Sequence, residues 1–373
     1  MTELSLLFSK IENEIRSFRE EFLNLQTGDN QISPFDEALQ KTFHELTRHL
    51  QVEEREIIKQ ELFSLGPIDR LLQAEDITEI LIQDSENIWV EQAGRLFQSP
   101  EHFLSASSYE RIFEKICREA QTHISLDRPF VSTRFRDHRL SLLHKCLTQT
   151  HDQISIRRHR HSSWTLKDLH ENAWARDEDL RLLKEIINEN LNFLVVGATG
   201  SGKTSLLNAL LAEIPRNERL IVIEDTHELS LPHPLCTRLL ARQGLDSGLS
   251  PVRPEELLRC ALRLRPDRLV MGEIRGEEAK DFLLLLSTGH RGSFGTLHAE
   301  SSQQALMRLE MLIQMGAPHW SLETVRRLIH QCLHVIVVVD RRKDGSRYLK
   351  EIFKIQSLEA FGFTMEKLSS GTG

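Results

Sequence analysis

The chain has 373 residues, 40% of them hydrophobic, and a formal net charge of −8. That length exceeds one ordinary core and predicts two or three domains. The acidic balance argues against a generic nucleic-acid binder, which carries a net basic domain to neutralise phosphates, and leaves open only a local basic groove. Five cysteines (Cys117, Cys146, Cys236, Cys260 and Cys332) are widely separated with no Cys-x-x-Cys pair, so neither a disulfide framework nor a zinc site is expected. No apolar run approaches the ~20 residues that span a bilayer, and the N-terminus has no secretory pattern, so a cytoplasmic protein is expected.

Leu4, Phe8, Ile11, Ile15, Phe18, Phe22 and Leu25 recur at intervals of three and four residues, which predicts one helix with a single apolar stripe. The stripe either docks a partner or packs on its own neighbouring helix. Thr27-Gly28-Asp29-Asn30 ends it, and Ser33-Pro34 opens a second helical stretch reaching about Leu65. These helices form an N-terminal segment, 1–60. An α/β domain is expected over 61–157, with strands at 79–83, 88–91, 140–143 and 154–157 and a helix over 109–121. The basic, polar run 158–163 reads as a linker.

From 164 to 373, strands alternate with helices, the pattern of a doubly wound parallel sheet. The expected strands are 192–196, 220–223, 268–271, 293–296 and 335–339, with a hairpin at Asp344-Gly345 leading into 348–355.

Residues 197 to 204 read Gly-Ala-Thr-Gly-Ser-Gly-Lys-Thr between the apolar run 193–196 and the helical pattern starting at Ser205. This is a complete phosphate-binding loop in strand-loop-helix context. Gly197, Gly200 and Gly202 permit tight turns, so that amides of the loop (Ala198, Thr199, Ser201 and Ser205 included) and the helix N-terminus can surround a polyanion. Lys203 reaches the β- and γ-phosphates, and Thr204 offers a hydroxyl to phosphate-bound Mg²⁺.

Acids end the following strands. Glu224, Asp225 and Glu228 either hold Mg²⁺ and its waters or cap a helix as solvated acids. Glu273 follows Arg268-Leu269-Val270-Met271-Gly272, where a carboxylate would align the attacking water; Gly272 replaces the Asp usual in this motif. His298, at another strand end, is a candidate γ-phosphate sensor, and His290 a weaker one. Arg128, Arg134, Arg136, Arg139, Arg157, Arg158 and Arg160 form either a phosphate-neutralising group or a solvated basic face. Arg238 and Arg242 are similar candidates in the nucleotide domain.

The phosphate loop, the acidic box at 223–229, Arg-Pro-Asp-Arg-Leu-Val-Met-Gly-Glu-Ile-Arg-Gly at 265–276 and Thr-Gly-His-Arg-Gly-Ser-Phe-Gly-Thr-Leu-His-Ala at 288–299 occur in one order. Together they resemble the ATPases of the type II/type IV secretion superfamily. Gly66-Pro67-Ile68, Arg128-Pro129-Phe130-Val131 and Asp344-Gly345-Ser346-Arg347 are similar to the tight-adherence (Flp) pilus and conjugation-type branch. The four-cysteine zinc insert of many type II members is missing, and Leu240-Ala241-Arg242-Gln243 lacks the proline expected after this arginine.

The resemblance implies an α/β fold in which a RecA-like P-loop NTPase domain follows a small α/β domain and N-terminal helices. It implies a homo-hexamer using ATP and Mg²⁺, with nucleotide between the two domains. It assigns Glu273 as the catalytic glutamate, Glu224 and Asp225 to the acidic box, His298 to the histidine box, and Arg134, Arg139 and Arg157 to phosphate contact. The expected function is a motor for pilus assembly or secretion at the cytoplasmic face of the inner membrane. It would bind a membrane platform protein and no stable nucleic-acid partner.

Overall fold

The computed structural model describes residues 3–25, 41–74, 76–92, 94–158, 164–242, 250–360 and 362–371. The chain divides into two compact units, 1–159 and 160–373. Among the described residues, no helix is long and apolar enough to cross a membrane.

In the first unit, α1 (Glu3–Leu25) forms where a helix is expected. Phe8, Ile11 and Ile15 are buried together with Phe43, Ile58 and Leu104, so this part of the stripe packs on the protein's own helices. The single helix expected up to Leu65 is instead broken. A helical stretch covers 41–47, and α2 (Val52–Phe63) starts after Gln51, whose N–H donates to the Glu54 carboxylate at 3.1 Å. That cap satisfies an amide that a continuous helix would have used internally. The turn at 27–30, Ser33-Pro34 and most of the 158–163 segment, Arg160 included, lie outside the described residues.

After the short helix α3 (Pro67–Gln73) come β1 (Ile77–Ile82), β2 (Ile88–Gln92), β3 (Arg95–Gln98), α4 (Ala106–Glu119), β4 (Phe130–Phe135), β5 (His138–Leu143) and β6 (Gln153–Arg157). The strands form one six-stranded sheet in the order β3-β2-β1-β6-β5-β4. Ile80, Ile82, Leu140, Leu142, Ile154 and Ile156 alternate inward against Ile112 and Ile116 of α4, the half-buried pattern of an antiparallel sheet. β3 and β4 were not expected; β3 is exposed at every position and β4 buries Val131 and Phe135 alone.

The second unit carries an eight-stranded sheet in the order β14-β13-β12-β7-β11-β10-β8-β9. Its strands are β7 (Phe193–Gly197), β8 (Leu220–Glu224), β9 (Cys236–Leu240), β10 (Arg268–Ile274), β11 (Phe294–His298), β12 (Val335–Arg341), β13 (Arg347–Glu359) and β14 (Gly362–Ser369). The six from β12 to β9 pair in parallel, and β13 and β14 extend the sheet antiparallel. Every residue of β7 and β8 is buried, because a parallel strand covered on both faces must be apolar on both. Two clusters, one on each face, hold the core: Leu194, Ile221 and Met271 belong to one, Val195, Val222 and Val270 to the other. The expected five strands and the hairpin are all present, and β9 and β14 add to them.

Candidate nucleotide-binding site

The carboxyl ends of β7, β8, β10 and β11 bring the motifs together, as expected for an open parallel sheet. β7 runs into the phosphate loop, and α5 (Lys203–Leu211) follows it; Gly202 precedes this helix at φ 93°. Gly200 has φ 74°. Both angles lie where a β-carbon is strained. A side chain at Gly202 would also collide with the Trp174 ring. Ala198 and Thr199 are exposed, while Ser201 is buried, and its Oγ has no hydrogen-bond partner among the described residues. A glycine cradle with an orphaned hydroxyl, opening onto the first turn of a helix, fits a phosphate group.

Lys203 is buried. Its ammonium donates to Gly197 O and Ala198 O at 2.9 Å each and faces His298 Nδ1 at 3.3 Å. Strand register produces the last contact, since Gly197 and His298 are directly paired between β7 and β11. Between β10 and β11 the register slips after Met271↔Gly295, so that Ile274 opposes Leu297. The extra residue forms a bulge at Gly272-Glu273, a device that re-aims a side chain. Thr296 Oγ1 donates to Gly272 O at 2.6 Å and holds it.

Glu273 is mostly buried there. Its Oε1 lies 2.5 Å from His298 Nε2, and it also pairs with Arg275. Arg275 Nη1 reaches Asp225 Oδ2 at 3.3 Å. Lys203, His298, Glu273, Arg275 and Asp225 thus form one chain of charged and polar contacts. Burial foremost, and then the Lys203 ammonium, hold the His298 pKa below its usual 6.5, against the opposing pull of Glu273. The ring is therefore neutral, and with Nδ1 facing an ammonium its proton is assigned to Nε2.

The acidic box divides its labour. Glu224 is buried; Oε1 accepts the N–H groups of Glu228 (2.9 Å) and Leu229 (2.8 Å), and Oε2 accepts from Arg238 Nε at 2.9 Å. Burial raises its pKa, while these donors pull the other way. Its carboxylate therefore ties the 225–229 turn. Asp225 is exposed. Glu228 Oε2 accepts from Thr204 Oγ1 at 3.4 Å, with Asn208 Nδ2 donating to Glu228 O at 3.3 Å. Thr204, Glu228 and Asp225 offer the oxygen donors that Mg²⁺ favours. Among the described residues, no three His, Cys, Asp or Glu side chains gather into a metal cluster.

Other candidates lie elsewhere. Arg242, beyond β9, donates to Ser250 O at 3.0 Å, and its backbone bridges Val252. His290 lies before β11, at the opposite end of the strands, with Nδ1 3.1 Å from Thr288 Oγ1. In the first unit, Arg134, Arg139 and Arg157 are directly opposed across β4, β5 and β6. Arg134 turns back onto Arg136 O (2.8 Å) and Asp137 (2.6 Å). Arg275 and Arg347 were not anticipated. Both sit in quoted motifs that gave them no role; Arg347 Nε donates to Gly200 O at 3.1 Å from 147 residues away, a contact no local pattern signals.

The family described as Type II/IV secretion system protein matches residues 61–347. A protein of Mycobacterium tuberculosis (strain H37Rv) named for conjugal transfer is 31% identical over 310 residues, covering 81% of this chain and 88% of that protein. The Type IV secretion system protein PtlH homolog of Bordetella bronchiseptica is 30% identical over 307 residues, covering 75% and 90%. The X-ray structure of the Legionella pneumophila ATPase DotB superposes with TM-score 0.57 at 22% identity, covering 76% of this chain and 79% of that one; this likeness bears on the fold. With matched residues spanning both units and every motif in place, the chain belongs to the type II/IV secretion system protein family.

Proposed function

We propose that the protein is an ATPase whose hydrolysis powers a pilus-assembly or secretion machine. The convergence of Lys203, His298 and Glu273 at the mouth of the phosphate loop carries this reading. Loop amides and Lys203 bind the β- and γ-phosphates. Glu273, aimed by the bulge, accepts a proton of the attacking water and aligns it, and neutral His298 reports on the γ-phosphate through its contacts to both. Thr204, with Asp225 and Glu228 nearby, holds Mg²⁺, which when bound neutralises phosphate charge; Glu224 secures the turn that carries those acids. Arg242 is a further candidate for phosphate contact.

The working form is a homo-hexamer on the cytoplasmic face of the inner membrane, attached through a platform protein, with no stable nucleic-acid partner. The relatives named for conjugal transfer and type IV secretion support the choice of machine. Steady-state phosphate release by the purified full chain tests the activity. Lys203→Ala should lose ~100-fold or more of turnover, the scale of losing a preorganised charge donor; normal hydrolysis by that variant sinks the proposal.

A further inference from the structure

Inside the phosphate loop, the Lys203 ammonium ties the first two carbonyls, Gly197 O and Ala198 O, at 2.9 Å each, ahead of the Gly200-Ser201 peptide. Two of the loop's glycines adopt positive φ, and its one described internal backbone bond, Ser201 N–H to Ala198 O, is long at 3.3 Å. Glycine-rich segments lose much conformational freedom on ordering, so a loop of this kind needs external tethers. The neighbouring strand β12 and the antiparallel β13 beyond it supply them. A β-carbon on Gly197 would collide with Val339 O of β12, and one on Gly202 would meet the Arg347 side chain at 3.0 Å. Leu349 N–H, two residues along β13, donates to Trp174 O at 2.7 Å, and the Trp174 ring closes on Gly202.

Arg347 acts at the most sensitive point. In a trans peptide the C=O and N–H point in opposite directions. Arg347 Nε grips Gly200 O, while the N–H of the same peptide, on Ser201, is engaged by Ala198 O. The peptide is pinned at both ends. Were it free to turn, it would present a carbonyl oxygen to an anion in a cradle that needs donors.

We propose that Arg347 is a positioning residue for the nucleotide: its guanidinium fixes the 200–201 peptide in the orientation that receives a polyphosphate. The proposal rests on the nucleotide reading of the loop. Its signature is a split between binding and turnover, since Arg347 shapes the receptor and leaves Glu273 untouched.

The test is Mg·ATP turnover by the full chain, with titration of a fluorescent ATP analogue, for wild type, Arg347→Ala, Arg347→Lys and Arg342→Ala. Arg342, on the same hairpin, stacks on Tyr348 at 4.3 Å and serves as control. Arg347→Ala should raise KM and the analogue's Kd about tenfold with kcat within about twofold, a change expected on losing a charge-assisted hydrogen bond. Arg347→Lys should recover only part of the affinity, with a KM between those of wild type and Arg347→Ala, and Arg342→Ala should match wild type. If Arg347→Ala fails to fold by circular dichroism, Arg347→Lys carries the test with an intermediate KM. Unchanged KM in the folded variants, or a fall in kcat alone, overturns the proposal. Wild type that binds no analogue overturns the nucleotide reading and this proposal with it; wild type that binds, with Arg347 variants unaffected, overturns this proposal alone.

Discussion

Nε2 of His298 lies 2.5 Å from Oε1 of Glu273, while the other ring nitrogen faces the Lys203 ammonium at 3.3 Å. One neutral imidazole therefore links the phosphate-binding cation to the carboxylate aimed at water. Its pKa in the folded chain is depressed, chiefly by burial. A depressed value means that the folded state takes up a proton less readily than the unfolded one. The stability that depends on neutral His298 is complete above about pH 6.5, the unfolded value, and is lost as pH falls through the folded value. Melting temperature should hence fall on acidification from pH 7 to 5.5, and less so in His298→Gln. Equal falls in the two proteins, followed by differential scanning fluorimetry, would remove His298 from this role.

Glu273→Gln keeps the shape of the bulge and removes the proton acceptor. Nucleotide binding should persist, and hydrolysis should slow by about 100-fold or more, within the range for general-base catalysis. A loss of nucleotide affinity with turnover unchanged at saturation would place Glu273 in binding instead. Isothermal titration alongside phosphate release separates the outcomes.

Glu224→Ala should chiefly cost stability. It removes the acceptor of two backbone amides and leaves the mostly buried Arg238 without its carboxylate, a loss on the order of 3 kcal/mol. Urea unfolding measures it. Unaltered stability together with a raised Mg²⁺ requirement would return Glu224 to the metal.

Gly202→Ala places a methyl group against Trp174 at a residue with φ 93°. Strain of ~1–3 kcal/mol is expected, along with at least tenfold weaker nucleotide binding. Shrinking Trp174 to Leu in the same chain should not restore binding, because the backbone angle stays unfavourable. Full rescue would assign the whole effect to the ring.

The motifs were legible because each is local and ends an apolar run: Lys203, His298 and Glu273 are all named by strand-end patterns, and strand register then sets them side by side. Register itself could not be read. The bulge at Gly272-Glu273 depends on how β10 meets β11, and the tie from Arg347 to Gly200 depends on β13 returning beside the loop. The acidic box shows a subtler limit. Composition offers Glu224, Asp225 and Glu228 as equals, yet burial and three donors separate Glu224 from exposed Asp225 and from half-buried Glu228, whose carboxylate meets Thr204. Among the elements, β3 was hidden by its full exposure, and the break before α2 by apolar residues that keep helical spacing while Glu54 caps Gln51.

The alignment of Arg139 with Arg134 on one side and Arg157 on the other sets like charges face to face, an arrangement that opposes sheet formation. Dissolved ions relieve such repulsion. The first unit is thus tuned to its ionic surroundings: it should withstand heat better in moderately salty buffer than in dilute buffer, before any nucleotide is added.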